Sequence, residues 1–231
     1  MEQLPGGYTL NICDGAFPLS TDSIALADFV KLPRNANVLD LGSGCGSLGL
    51  LLCASDPRCT VTGIEISQAA HQAACDNIAD NQLTRLHSIC ADLRGIDQLV
   101  KPGSFHCCVS NPPYFSSGPQ SQRVPLARRD DTCSLDELFA AAAWALRYGG
   151  DFFLVHRPEK LAELCACGAK YHLEPKRLRL LRHKEGGAVT LILLACRKGG
   201  KPGLLWEEES LHHADGTPTD YYRKLYHLEE S

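Results

Sequence analysis

From Asn37 onward the chain alternates short apolar runs with longer amphipathic segments. Val38 to Leu41 has the length and composition of a buried strand, and an apolar helix follows through Leu48 to Ala54. Thr60 to Ile66, rich in β-branched residues, reads as a second strand, after which Ser67 caps a helix running to about Asn81. Leu86 to Cys90 and Phe105 to Ser110 read as the third and fourth strands. Ser134 with Glu137 forms a capping box, which opens an Ala-rich helix expected to run to Tyr148 and stop at Gly149-Gly150. Asp151 to His156 is the next strand, and Pro158 opens a helix to about Cys167. Lys176 to Leu181 and Val189 to Cys196 close the series as two strands joined across Glu185-Gly186-Gly187. This succession predicts an α/β fold with a mostly parallel, doubly wound sheet and an antiparallel closing hairpin. One domain spanning 1–231 is expected: a covering segment at 1–36, the core at 37–200 and a tail at 201–231.

Composition narrows the function classes. The formal net charge of −4 disfavours indiscriminate nucleic-acid binding through overall charge. The charges are uneven, however: Lys170 to Lys201 is rich in Lys and Arg, while acids gather at Glu207-Glu208-Glu209 and Glu229-Glu230. The 12 cysteines are scattered through apolar segments without metal-like spacing, so reduced, packed thiols and no metal are expected. Met1 to Gly7 lacks the apolar stretch of a secretion signal, and Ala188 to Cys196 is too short to cross a bilayer. A cytoplasmic protein with no membrane partner is the expectation.

The first chemical signal is Asp40-Leu41-Gly42-Ser43-Gly44-Cys45-Gly46, where a strand ends, three glycines alternate and a helix begins. Glycine lets the backbone approach a ligand closely, and the helix start offers free N–H groups. Glu65 ends the next strand, placed to accept hydrogen bonds from a ribose diol, with Ile66 beside it. Asp92, followed by Leu93, ends the third strand, where a carboxylate can accept adenine amino hydrogens. The stretch Gly44 to Gly49 also satisfies the dinucleotide pattern GxGxxG, which keeps a nicotinamide oxidoreductase as a rival. That pattern leaves Asp40 and Gly42 unused. The longer DxGxGxG resembles the glycine loop of class I methyltransferases.

Ser110-Asn111-Pro112-Pro113-Tyr114 follows the fourth strand. Two prolines remove two backbone donors and leave outward carbonyls, Asn111 adds a side-chain acceptor, and Tyr114 adds an aromatic face. The loop therefore offers acceptors, and no strong base, to a planar group bearing an NH₂. Accepting the N–H hydrogens at Asn111 and Pro112 favours a pyramidal nitrogen and stabilises the positive charge that develops during attack.

Together the glycine loop, Glu65, Asp92 and NPPY resemble class I amino-methyltransferases of the adenine-N6 and glutamine-N5 type. The likeness extends through Phe17 to Ser23, Ala127-Arg128-Arg129, Ser134 to Leu138, Gly149 to Leu161, and Asp215 to Tyr222 followed by Leu225 and Tyr226. These segments are similar to the bacterial tRNA1(Val) adenine-37 N6-methyltransferase family, with one departure at Arg129-Asp130, where a His followed by an acid is expected. The resemblance implies a Rossmann-like fold, S-adenosylmethionine as cofactor and the anticodon loop of a tRNA as substrate. It assigns catalysis to Asn111, Pro112, Pro113 and Tyr114. Cofactor binding falls to Thr21, Asp40, Gly42, Gly44, Gly46, Glu65, Ile66, Asp92, Leu93 and Asn111, with Asp22 possible as an assistant. The basic residues Lys176, Arg177, Arg179, Arg182 and Lys184 then become an expected phosphate-binding surface, on a monomeric enzyme. Rivals are a glutamine-N5 protein methyltransferase, another RNA or DNA amino-methyltransferase, and a catalytically silent scaffold.

Overall fold

The computed structural model describes residues 2–13, 19–113 and 133–228. Its centre is β3 (Asn37–Leu41), flanked by β4 (Thr60–Glu65) on one side and β6 (Phe105–Ser110) on the other, all parallel. Beyond β4 lies β5 (Leu86–Cys90), and beyond β6 lies β7 (Leu146–His156), both continuing the parallel sheet. The strands β8 (Leu173–Lys184) and β9 (Val189–Lys198) form the antiparallel hairpin, with β9 paired to β7. A further strand, β10 (Leu205–His212), adds parallel to β8 and completes the order β10-β8-β9-β7-β6-β3-β4-β5. A separate two-stranded ribbon joins β1 (Glu2–Gln3) to β2 (Thr9–Leu10).

The connecting helices are α1 (Thr21–Phe29), α2 (Ser47–Ser55), α3 (Gln68–Asp80), α4 (Ile96–Leu99), α5 (Leu135–Ala145), α6 (Leu161–Lys170) and α7 (Asp220–Leu225). Strands covered on both faces must be apolar at every position, and that is why their runs read as continuous. Along β9, Leu191, Leu193 and Ala195 enter one core while Ile192, Leu194 and Cys196 enter the other. In β7, Phe153 and Val155 alternate with Phe152 and Leu154 in the same way. The first core also takes in Leu4 and Leu10 from the chain start, Ile24 and Phe29 from α1, and Tyr221 and Leu225 from α7.

One expectation needs correction. The Ala-rich helix ends at Ala145, and Tyr148 and Gly149-Gly150 lie inside β7. Leu146 already pairs with Phe105, and a register shift before Cys107 absorbs the irregular stretch around Gly149, whose φ is 76°. The glycines thus accommodate a bulge and do not terminate the helix. The tail carries regular structure as well: Glu207-Glu208-Glu209 sit within β10, and Asp220 opens α7.

Candidate active site

The sheet changes direction of progression between β3 and β6, so the loops after these two strands meet at its carboxyl edge. Ser110, fully buried, donates its hydroxyl to Leu41 O at 2.8 Å, tying the two strand ends together. That bond brings the glycine loop and Asn111 into one place.

The glycine loop is built around Glu65. Its Oε2 accepts the Gly44 N–H at 2.8 Å and its Oε1 accepts the Ser67 N–H at 2.8 Å, so one carboxylate joins the loop to the end of β4. Gly42, Gly44 and Gly46 all have left-handed φ, at 77°, 55° and 84°. Their surroundings differ. A Cβ at Gly42 or Gly44 would meet nothing within 4 Å, whereas one at Gly46 would touch Ala74 at 3.5 Å. Gly42 and Gly44 therefore form an open cradle, and Gly46 serves the close entry of α2 against α3. Gly63 allows the loop to lie on β4, since a Cβ there would fall 2.5 Å from Ser43 Oγ.

Beneath the cradle Asp40 is buried, with Oδ2 lacking any hydrogen-bond partner. Burial, reinforced by the Glu65 charge, pushes its carboxyl up to about 8. Beside the Glu65 charge, this buried acid with an unsatisfied oxygen keeps its proton at neutral pH and would give it up to a ligand bearing a cationic group. An open glycine cradle above it leaves room for such a ligand. The residues present therefore fit the amino-acid end and sulfonium of S-adenosylmethionine.

At the next strand ends, Ile66 presents an apolar side chain that is 45% exposed beside Glu65. Asp92 caps the short turn Leu93–Gly95 by accepting the Arg94 N–H at 2.9 Å. It also pairs with the Arg94 guanidinium, whose hydrogen bonds hold the Asp92 carboxyl below its ordinary range. Sequence reading had no means of seeing this local partner. Leu93 points into the second core and offers the site only its main chain.

Asn111 and Pro112 are half-buried and Pro113 is exposed at the end of β6, while Tyr114, Phe17, Pro18, Arg128 and Arg129 lie outside the described residues. The Asn111 side-chain Nδ2 donates to Ser23 Oγ at 3.0 Å. Thr21, at the start of the same helix, shares a 2.8 Å hydrogen bond with the Tyr226 hydroxyl of the tail. The family resemblance covered Ser23 and Tyr226 within longer segments but gave neither of them a role. Asp22 stands next to Thr21 in the first turn of α1.

The basic stretch does not stand as a free cationic face. The Arg177 guanidinium lies 3.8 Å over the Phe29 ring and donates to the Phe29 carbonyl. Arg179 is buried and pairs with Asp28 and Glu207, each at 2.8 Å. Arg182 pairs with Glu208 at 3.0 Å, and Lys176 donates to Lys201 O at 2.9 Å. Lys184 alone of the five is exposed with none of these ties. The acids of the tail thus neutralise the cations of β8 across the parallel β8–β10 pair. The phosphate-binding surface expected there loses most of its charge.

The family model described as Methyltransferase small domain matches residues 19–164. A tRNA1(Val) (adenine(37)-N6)-methyltransferase of Shewanella halifaxensis is 32% identical over 174 residues, covering 74% of this chain and 70% of the relative. The protein of the same description from Bacteroides fragilis is 30% identical over 91% of this chain and 89% of the relative. Among solved structures, a predicted O-methyltransferase from Agrobacterium tumefaciens superposes with a TM-score of 0.74 at 22% identity, covering 90% of this chain and 96% of that one. The T. thermophilus 16S rRNA N2 G1207 methyltransferase, solved with AdoMet and guanosine, gives 0.61 at 23% identity, over 85% of this chain and 49% of that one. At these identities the two structures show the fold.

Proposed function

The chain belongs to the methyltransferase small-domain family and, within it, to the tRNA1(Val) (adenine(37)-N6)-methyltransferases, and from that premise we propose that it methylates the N6 amine of a tRNA adenine, next to the anticodon. The observation that carries the reading is the Asn111 amide, fixed at the end of β6 beside the glycine cradle.

When bound, S-adenosylmethionine supplies an activated sulfonium methyl to the attacking nitrogen. Gly42 and Gly44 would admit its amino-acid end, Asp40 would release its proton as the cationic group arrives, and Glu65 would keep acceptor capacity for the ribose diol. Ile66 gives the adenine of the cofactor an apolar face, and Asp92 accepts from its amino group alongside Arg94. Asn111 Oδ1 and the Pro112 carbonyl accept the hydrogens of the target N6 amine. Their pull withdraws the lone pair from the ring and steadies the positive charge on nitrogen as the N–C bond forms and the C–S bond breaks. The surplus proton then leaves to solvent. Tyr114 stacks on the flipped base. An anticodon-loop base suits this site because unstacking it costs only a few kcal/mol. We place the enzyme in the cytoplasm as a monomer; among the described residues no helix is long and apolar enough to cross a membrane.

The test is methyl transfer from labelled S-adenosylmethionine into unmodified tRNA, total protein and DNA, followed by nucleoside analysis. N6-methyladenosine in tRNA alone, reduced about 10²- to 10³-fold in Asn111→Ala, is the expected result. Label in a glutamine amide or in a guanine would overturn the substrate and keep the fold.

A further inference from the structure

An amide side chain is nearly symmetric in shape but opposite in polarity at its two ends. For Asn111 to act on an amine it must present Oδ1; rotated by half a turn, it would set its own N–H groups against those of the substrate. One partner that bears on this choice comes from another element. Ser23 Oγ, on a residue only 6% exposed in the first turn of α1, accepts from Asn111 Nδ2 at 3.0 Å. With Nδ2 drawn toward α1, the carbonyl end is turned away from it.

The placement of Ser23 is itself held. Its backbone N–H donates to Ser20 O at 3.1 Å, starting the helix. Two residues earlier, Thr21 Oγ1 meets the Tyr226 hydroxyl at 2.8 Å, so the tail grips the turn that carries Ser23. Phe29, at the other end of α1, is fully buried against Phe153 of β7. The helix is thereby fixed at both ends relative to the sheet.

We infer that Ser23 is a positioning residue that sets the orientation of the Asn111 amide, and that the Tyr226–Thr21 contact steadies it through α1. The inference deepens the methyltransferase reading and rests on it for its kinetic consequence; its structural consequence is independent of any substrate. Ser23 does not touch the reacting atoms.

The experiment compares wild type, Ser23→Ala and Ser23→Thr in single-turnover methyl transfer to tRNA, with cofactor titration and thermal melting on each. Ser23→Ala is expected to slow transfer about tenfold, the weight of one lost hydrogen bond, with tRNA KM and cofactor affinity nearly unchanged. Ser23→Thr, which keeps the hydroxyl, is expected to recover most of the rate. A ¹⁵N–¹H spectrum supplies the readout that needs no activity. The Asn111 side-chain NH₂ pair, assigned by its loss in Asn111→Ala, should shift and exchange faster with solvent in Ser23→Ala. Unmoved amide resonances in folded Ser23→Ala overturn the inference, whatever the substrate proves to be. So does a rate loss matched by an equal loss of cofactor affinity or by a collapsed melting point, which would make Ser23 merely structural. An inactive wild type with the amide shift intact would instead count against the functional reading alone.

Discussion

At the residue scale the most consequential group is Asp40. Its carboxyl, ordinarily near 3.8, is pushed up to about 8 by burial and by Glu65. The folded protein therefore keeps a proton that the unfolded chain gives up above about pH 4. Stability contributed by this group is complete below 3.8 and is lost as pH rises toward 8, at up to roughly 1.4 kcal/mol per pH unit. Asp40→Asn should flatten this slope and raise the melting temperature near pH 8, while weakening cofactor binding. Binding a cationic ligand pulls the carboxyl down, so wild type near pH 7 should release a proton on binding. Calorimetry in two buffers of different ionisation enthalpy detects that proton, and Asp40→Asn should abolish it. The Asp40–Gly46 glycine loop and the Asn111–Tyr114 segment were readable as motifs because each is a short contiguous run with its residues at fixed spacing. Ser23 was not, because its partner lies 88 residues away and a helical serine carries no signature of what it bonds.

At the scale of elements, Gly63 illustrates how a strand and a loop share space. A methyl group there would lie 2.5 Å from Ser43 Oγ and 2.7 Å from Ser43 Cβ. Gly63→Ala should destabilise the fold by about 1–3 kcal/mol and weaken cofactor binding, read by melting and by titration. Adding Ser43→Gly should restore much of both. The inner strands β3, β6 and β9 were readable because burial on two faces keeps most of their positions apolar. The end of α5 was misread because a Gly-Gly pair after a helix usually stops it, whereas here strand pairing from Phe105 takes over at Leu146. The strand β10 was hidden by its three glutamates, two of which, Glu207 and Glu208, meet arginines on the paired strand β8.

For the whole molecule, the telling feature is the ion network that joins α1, β8, β10 and α7. Arg179 contacts Asp28, Glu207 and the Tyr221 hydroxyl, and Lys224 also reaches Asp28. Burial opposes ionisation of Asp28, yet its hydrogen bonds from Lys224 and Arg179 prevail and hold the carboxyl below 3.8. Its contribution is therefore present above 3.8 and lost as pH falls through the lowered value. Arg179→Met should cost about 3 kcal/mol in denaturant titration and soften the acid limb of the stability profile. It should leave the salt dependence of tRNA binding nearly unchanged, because Arg179 is buried and already paired. A large change in that salt dependence would return the basic stretch to the role of an RNA-binding face.

The Thr21–Tyr226 hydrogen bond spans 205 residues. Closing so long a loop costs only about 0.6 kcal/mol more than closing one of half the length, so sequence distance is little obstacle once the sheet has brought the two segments together. Removing either hydroxyl, in Thr21→Val or Tyr226→Phe, should therefore loosen the first turn of α1 alone, read as faster amide exchange at Ser23 while the strands stay protected.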